Sequence, residues 1–220
     1  MTFFILFYDE LRGFYKSKAM ILLWLGLPIL SILMHFLQPD MEEFPFSILV
    51  SIVLSTIGGT LASAMLSTAL TSEINHNVYD LFLIRPVKRM TILVSKFIAV
   101  YLCLVIAIAI SLGIGLLIDY MTIGEFTNIF IMNLWEALAI SLAAIAISCS
   151  IGLLFGISIS SVPVAAILSV YIGNQLSALS ILPTLFVETI NPFIFALIIG
   201  ISVPSTLLIV SAIIFNRKDF

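Results

Sequence analysis

Six runs of apolar residues divide the chain, at about 19–37, 46–70, 97–118, 137–157, 163–182 and 193–215. Runs of roughly 20 apolar residues are long enough to cross a bilayer as α-helices, so the pattern predicts six membrane spans. Residues 3–18 follow a different rule. Phe4, Phe7, Tyr8, Leu11, Phe14 and Tyr15 recur at helical spacing, with Asp9, Arg12, Lys16 and Ser17 on the other side. That is the pattern of an amphipathic helix lying in the membrane interface, aromatics down and cations up. A plain helical extension of the first span is the alternative, and Gly13 weakens either version slightly. Pro28 in the first span and Pro204 in the sixth each remove a backbone donor and free a carbonyl, that of Trp24 or Gly200, which favours a kink.

Small residues recur at every fourth position of the second span: Ser47, Ser51, Ser55, Gly59, Ser63, Ser67 and Thr71. The fourth span repeats the device with Ala144, Ser148, Gly152, Gly156 and Ser160. Helices in lipid associate through such small contacts and hydroxyl hydrogen bonds. The rows serve packing within the chain, or else part of the second-span row, Ser55, Gly59 and Ser63, faces a translocation path or a second copy of the chain. Asn174 and Gln175 stand in the fifth span, roughly 16–18 Å above Pro163 at 1.5 Å per residue. Two adjacent carboxamides in hydrocarbon require partners, and they serve as interhelical glue or as the polar wall of a path. Segment 183–192 contains Pro183, Glu188, Asn191 and Pro192, yet also Leu185, Phe186 and Val187. It reads as an outer loop or as a short structure dipping back into the outer leaflet.

The composition leaves room for nothing else: 62% of residues are hydrophobic and 10% charged, where a soluble domain carries about 25% charged. The expected architecture is therefore a single all-α integral membrane domain, residues 1–220, and no soluble catalytic domain fits. The charges then set the orientation. Arg12, Lys16 and Lys18 precede the first span, Arg85, Lys88, Arg89 and Lys96 lie between the second and third, and Arg217 and Lys218 follow the sixth. That side holds nine basic residues against five acids (Asp9, Glu10, Glu73, Asp80 and Asp219), a balance of +4. The opposite side holds seven acids and no base: Asp40, Glu42, Glu43, Asp119, Glu125, Glu136 and Glu188. Basic residues in short loops mark the cytoplasmic face, so both termini are expected there, in a multi-pass protein of the cell membrane. No signal peptide is evident, because Phe3 to Tyr8 has no cation before it and acids directly after. Cys103 and Cys149 fall inside apolar runs and read as packing residues rather than a disulfide or metal site.

The chemistry that is absent narrows the function. His35 and His76 fall at opposite faces, so they form no joint metal site or base pair. The chain has no H-E-x-x-H zinc helix, no G-x-S-x-G nucleophile turn and no Gly-Lys pair of a phosphate-binding loop. The interiors of the six apolar runs lack Asp, Glu, Lys, Arg and His, the groups that proton relays and ion-coupled transporters keep within the bundle. The chain is thus not expected to be an enzyme. Energy for any transport would come from a partner on the cytoplasmic face.

The longest cytoplasmic connection is 71–96, TSEINHNVYDLFLIRPVKRMTILVSK. Val78 to Ile84 is largely apolar, with Asn77, a good N-cap, before it and Pro86, which ends helices, after it. This predicts a helix of about two turns on the membrane surface. The loop resembles that of the type-2 ABC exporter permeases. Glu73 stands at that family's acid, Asn77 at its glycine, Asp80 at a second acid and Leu83 at a leucine. Pro86, Arg89 and Lys96 match in register. Asn77, Ser95 and Lys88 depart from the usual residues, and the Pro183 to Pro192 segment is similar to the family's outer re-entrant stretch.

The resemblance implies a coupling helix docking on a separate cytoplasmic ABC ATPase subunit, which would hold the ATP and magnesium; no cofactor is expected in this chain. Two copies of the permease would form the path. Glu73 and Asp80 become candidates for polar contacts to the ATPase, Pro86 for ending the docking helix, and Asn77, Leu83, Arg85 and Arg89 for the remaining coupling positions, with Lys88 and the arginines also placed for lipid headgroups. A haem-exporter-like permease of cytochrome maturation shares this length and span count. A non-transporting membrane scaffold or assembly protein shares the topology. Nucleic acid is not an expected partner.

Overall fold

The computed structural model describes residues 2–37, 46–76, 89–123, 128–180 and 191–217. Among these there is no strand. Seven α-helices follow one another: α1 (Thr2–Tyr15), α2 (Lys18–Leu37), α3 (Phe46–Asn75), α4 (Arg89–Ile123), α5 (Asn128–Ser158), α6 (Val162–Ser177) and α7 (Pro192–Arg217). A single 3₁₀ turn, Ala178–Ser180, extends α6.

The helices overrun the apolar runs that predict them. α3 continues to Asn75, α4 starts at Arg89 and α5 at Asn128. The connection read as 71–96 therefore narrows to residues 76–88. The reason is general: a helix already formed satisfies its own backbone donors whatever side chains it carries, so it runs on through polar positions such as Glu73, Lys96 and Glu136. Among the described residues five stretches are each long and apolar enough to cross a membrane: Ile52–Asn75, Met90–Met121, Phe130–Ser158, Val162–Ser180 and Phe193–Arg217. This is the character of a multi-pass membrane protein. Met20–Phe36, in α2, meets that standard only jointly with Phe3–Tyr15, from which it is bent by 59°.

α5 is the central helix, with 78% of its membrane-length window inside the protein against 22% for the α6 window and 11% for that of α7. It packs most extensively on α3, then on α7 and α6. The small-residue rows account for this. A Cβ added to Gly152 of α5 would lie 2.6 Å from the Ser63 carbonyl oxygen and 2.8 Å from its Cα, and one added to Gly156 would lie 3.0 Å from the Ser67 Cα. The two backbones thus approach to a distance only glycine permits. α6 enters with a row of its own, Ala165, Ser169, Gly173 and Ser177, all buried. Ser67 and Ser169 share a hydrogen bond at 2.9 Å, Thr71 Oγ1 donates to the Gly156 carbonyl at 3.0 Å, and Asn75 Nδ2 donates to the Ser160 carbonyl at 2.8 Å. Where their side chains are described, both predicted rows lie buried within the chain, except at Ser160, which is exposed. Most of these hydroxyls also bond back to their own helix, as Ser63 does to Thr60 and Ser67 to Ala64.

α1 packs chiefly on α4 and hardly on α2. Its apolar residues divide between two faces. Leu6, Leu11 and Phe14 pack against the main core, whereas Phe4, Tyr8 and Tyr15 stay exposed. α2 is pinned to α4 by the Trp24 indole N–H, which donates to the Cys103 carbonyl at 3.2 Å.

The close approach of α3 and α5 predicts a contrast between two glycines. Gly152→Ala should lower stability by about 1–3 kcal/mol, the usual result of overpacking, because backbone at Ser63 cannot move aside. Gly113→Ala meets nothing within 4 Å and should be neutral or stabilising, since alanine is the better helix former. Thermal unfolding of the two variants in detergent measures both effects.

Candidate functional site

The C-terminal end of α3 and the N-terminal end of α4, with α1 alongside, hold a buried ion cluster. Lys96 lies two turns into α4 and is only 3% exposed. Its Nζ is 2.7 Å from Oε1 and 2.9 Å from Oε2 of Glu10 on α1, and 2.7 Å from Oε1 of Glu73 on α3. The Phe14 ring centroid lies 5.9 Å from the same ammonium. A lysine ammonium has three protons to donate, and here carboxylate oxygens from two other helices surround it. Ser95, the neighbouring residue, is fully buried, with its hydroxyl bonded to the Ile92 carbonyl at 2.8 Å.

Two carboxylates face one ammonium, so the fully ionised cluster carries a net negative charge. Burial pushes the Glu10 carboxyl above its ordinary range. Lys96 opposes this through its charge and hydrogen bond, while Glu73 and Asp9 add to the rise. Glu10 therefore takes up a proton more readily than an ordinary solvated glutamate does.

Glu10 is the residue that sequence reasoning missed. The signal was present: Phe3, Leu6, Phe7 and Phe14 lie three, four or seven residues from it, on the same helical face, which turns inward with it. An acid in the middle of an apolar stripe needs a cation, and Lys96 is the cation.

Of the positions expected to couple to an ATPase, the structure places Glu73 in this cluster and Arg89 at the first turn of α4. Asn77, Asp80, Leu83, Arg85 and Pro86 lie outside the described residues, as does the surface helix expected over 78–84. The segment 183–192 is described only at its end, where Asn191 Oδ1 accepts the Phe193 N–H at 3.0 Å and Pro192 opens α7. That is an N-cap followed by proline at the first helical position, a favoured helix start. Of the path candidates, Ser55, Gly59 and Ser63 are buried on α3, and a Cβ on Gly59 would meet the Ser148 hydroxyl at 2.9 Å. Asn174 and Gln175 are exposed on α6, where they line a groove of about 440 Å³ with Ile167, Val170 and Tyr171. Among the described residues their carboxamides hold no other helix. Nor do those residues contain a group of three His, Cys, Asp or Glu side chains arranged for a metal.

Comparison with protein-family models gives no match, and comparison with curated proteins gives none.

The cluster makes two predictions. Lys96→Met leaves two carboxylates facing each other in a largely buried site, and breaking a buried ion pair from one side costs about 3–5 kcal/mol. α1 should then detach from α4 and become sensitive to limited proteolysis, while Glu73→Gln leaves it attached. The second concerns pH. A carboxyl whose folded pKa is raised contributes stability that is present below the unfolded value and lost as pH rises through the folded value. The stability of wild type relative to Glu10→Gln should therefore decline from acidic toward neutral pH, as measured by unfolding at a series of pH values.

Proposed function

We propose that the chain is the membrane-embedded permease subunit of an ATP-driven exporter resembling the type-2 ABC class. It would work as two copies, with a separate cytoplasmic ATPase bound at residues 77–88. The observation that carries this reading is the braced base of that connection: Glu10, Lys96 and Glu73 tie α1, α3 and α4 together where the loop leaves the bundle. The loop register of Glu73, Asp80, Pro86, Arg89 and Lys96 and the one-sided distribution of cations support it independently.

On this reading α2 is the first of six spans. Its 20 residues rise about 30 Å at 1.5 Å each, the thickness of a hydrocarbon core. α1, bent 59° from the described part of α2, lies in the cytoplasmic interface, and both termini share that side. Nucleotide and magnesium belong to the partner. This chain's own part is mechanical. A displacement of the loop acts on α3 and α4 together because Lys96 joins them, and α1 follows. α3 in turn meets α5 backbone to backbone at Gly152 and Gly156, so the motion passes into the helices that support α6.

The translocation path is placed between the two copies rather than within one. Ser55, Gly59 and Ser63 are sealed inside the protomer, whereas Asn174, Gln175 and the groove beside them face outward. A path lined by carboxamides, Tyr171 and aliphatic residues suits amphipathic cargo better than a multiply charged solute.

The test is co-purification of the tagged chain in mild detergent. A stoichiometric ATP-binding subunit should be retained by wild type and by Glu73→Gln, and weakened at least tenfold by Asp80→Arg combined with Pro86→Ala. Retention of no nucleotide-binding protein by wild type would favour the scaffold reading instead.

A further inference from the structure

The break between α1 and α2 forms an elbow, and the elbow encloses a groove that the transport reading does not use. Tyr15, Lys16, Ile21, Trp24 and Leu25 line it, and its volume is about 410 Å³, within the range of about 300–1,000 Å³ typical of ligand sites. Its chemistry is divided. Ile21 and Leu25, one turn apart on α2, are 50% and 62% exposed and give it an apolar floor. Lys16 supplies a cation at the α1 end.

The aromatic walls are fixed in place. The Trp24 indole N–H is held by the Cys103 carbonyl, and the Tyr15 ring stands edge-on to Trp24 with centroids 5.4 Å apart. Tyrosine and tryptophan with this mixed character favour the headgroup level of a bilayer. Arg12, Lys16 and Lys18 are all exposed, and among the described residues none of the three forms an ion pair. The groove thus offers an apolar slot, two aromatic walls and uncompensated positive charge at one end. Lipid fills any apolar groove in a membrane, but a zwitterionic lipid brings a cation beside its phosphate and leaves the positive charge of the site unbalanced, whereas an anionic lipid offsets it.

We propose that the α1–α2 elbow is a binding site for one anionic phospholipid of the cytoplasmic leaflet. An acyl chain lies over Ile21 and Leu25 against Trp24, and the headgroup phosphate meets the Lys16 ammonium. The bound lipid fastens the elbow to the membrane from outside, as Lys96 fastens α1 from within. The site depends on the interfacial placement of α1 but not on any ATPase partner.

Trp24 provides the readout. The chain contains two tryptophans, and Trp135→Phe leaves Trp24 as the sole reporter. Reconstitute that protein in phosphatidylcholine bilayers containing a fraction of phosphatidylglycerol, with bromine on the acyl chains of one lipid or the other, and measure quenching. Brominated phosphatidylglycerol should quench Trp24 out of proportion to its abundance. Lys16→Ala should reduce that preference about fivefold, the share of one basic residue near an anionic headgroup. Arg217→Ala, a cation at the far end of α7, should leave it unchanged. Equal quenching by the two brominated lipids overturns the proposal. So does an equal loss in Lys16→Ala and Arg217→Ala, which would mean a general surface potential. Relief of quenching by added inorganic phosphate would identify a simple anion site and also overturn it.

Discussion

In hydrocarbon no water drives helices together, so this bundle depends on how closely two backbones can approach. Gly152 and Gly156 of α5 meet Ser63 and Ser67 of α3 at distances that leave no room for a Cβ, and dispersion and hydroxyl contacts at that range replace the hydrophobic effect. The third row, on α6, uses the same spacing and joins the same seam through Ser169 and Gly173. Everything else is arranged around this unit of three helices. α7 lies on α5 with most of its surface outward, and α4, α2 and α1 follow on the α3 side.

The outer group is fastened differently. α4 and α1 contribute larger apolar residues to the core, among them Leu104, Ile108 and Phe14, but their register relative to α3 is fixed by charge. One ammonium held by two carboxylates is directional in a way that leucine packing is not, and a buried charge cannot shift far without losing its partners. The cluster sits where α3 and α4 lead into residues 77–88. A contact made on that connection therefore acts on three helices at once. On the permease reading, this is how a partner outside the membrane would move the bundle.

Much of the architecture was legible in the chain. Apolar run length located the helices because bilayer thickness sets their length, and the i+4 rows of small residues identified the seam because only small side chains permit it. Helix ends were less legible: Glu73, Lys96 and Glu136 look like loop residues by polarity, yet backbone hydrogen bonding carries the helices through them. Glu73 and Lys96 were singled out from a resemblance, but their mutual contact was not foreseen, and Glu10 was passed over. Residues 86 positions apart pair through three-dimensional packing, which a helical wheel of α1 alone does not contain. The exposure of Asn174 and Gln175 was hidden for the same reason, since sequence shows that carboxamides lie in a span but not which neighbours that span has.

The central claim is that the 77–88 connection, α1 and the end of α7 share the cytoplasmic side of the membrane. Single cysteines introduced into a variant whose buried Cys103 and Cys149 are replaced by alanine test it most directly, using a membrane-impermeant maleimide on intact cells. Lys88→Cys and Arg217→Cys should stay unlabelled until the membrane is permeabilised, while Glu42→Cys and Glu125→Cys react at once. Labelling of Lys88→Cys in intact cells would contradict the account, because no cytoplasmic partner could then reach the loop.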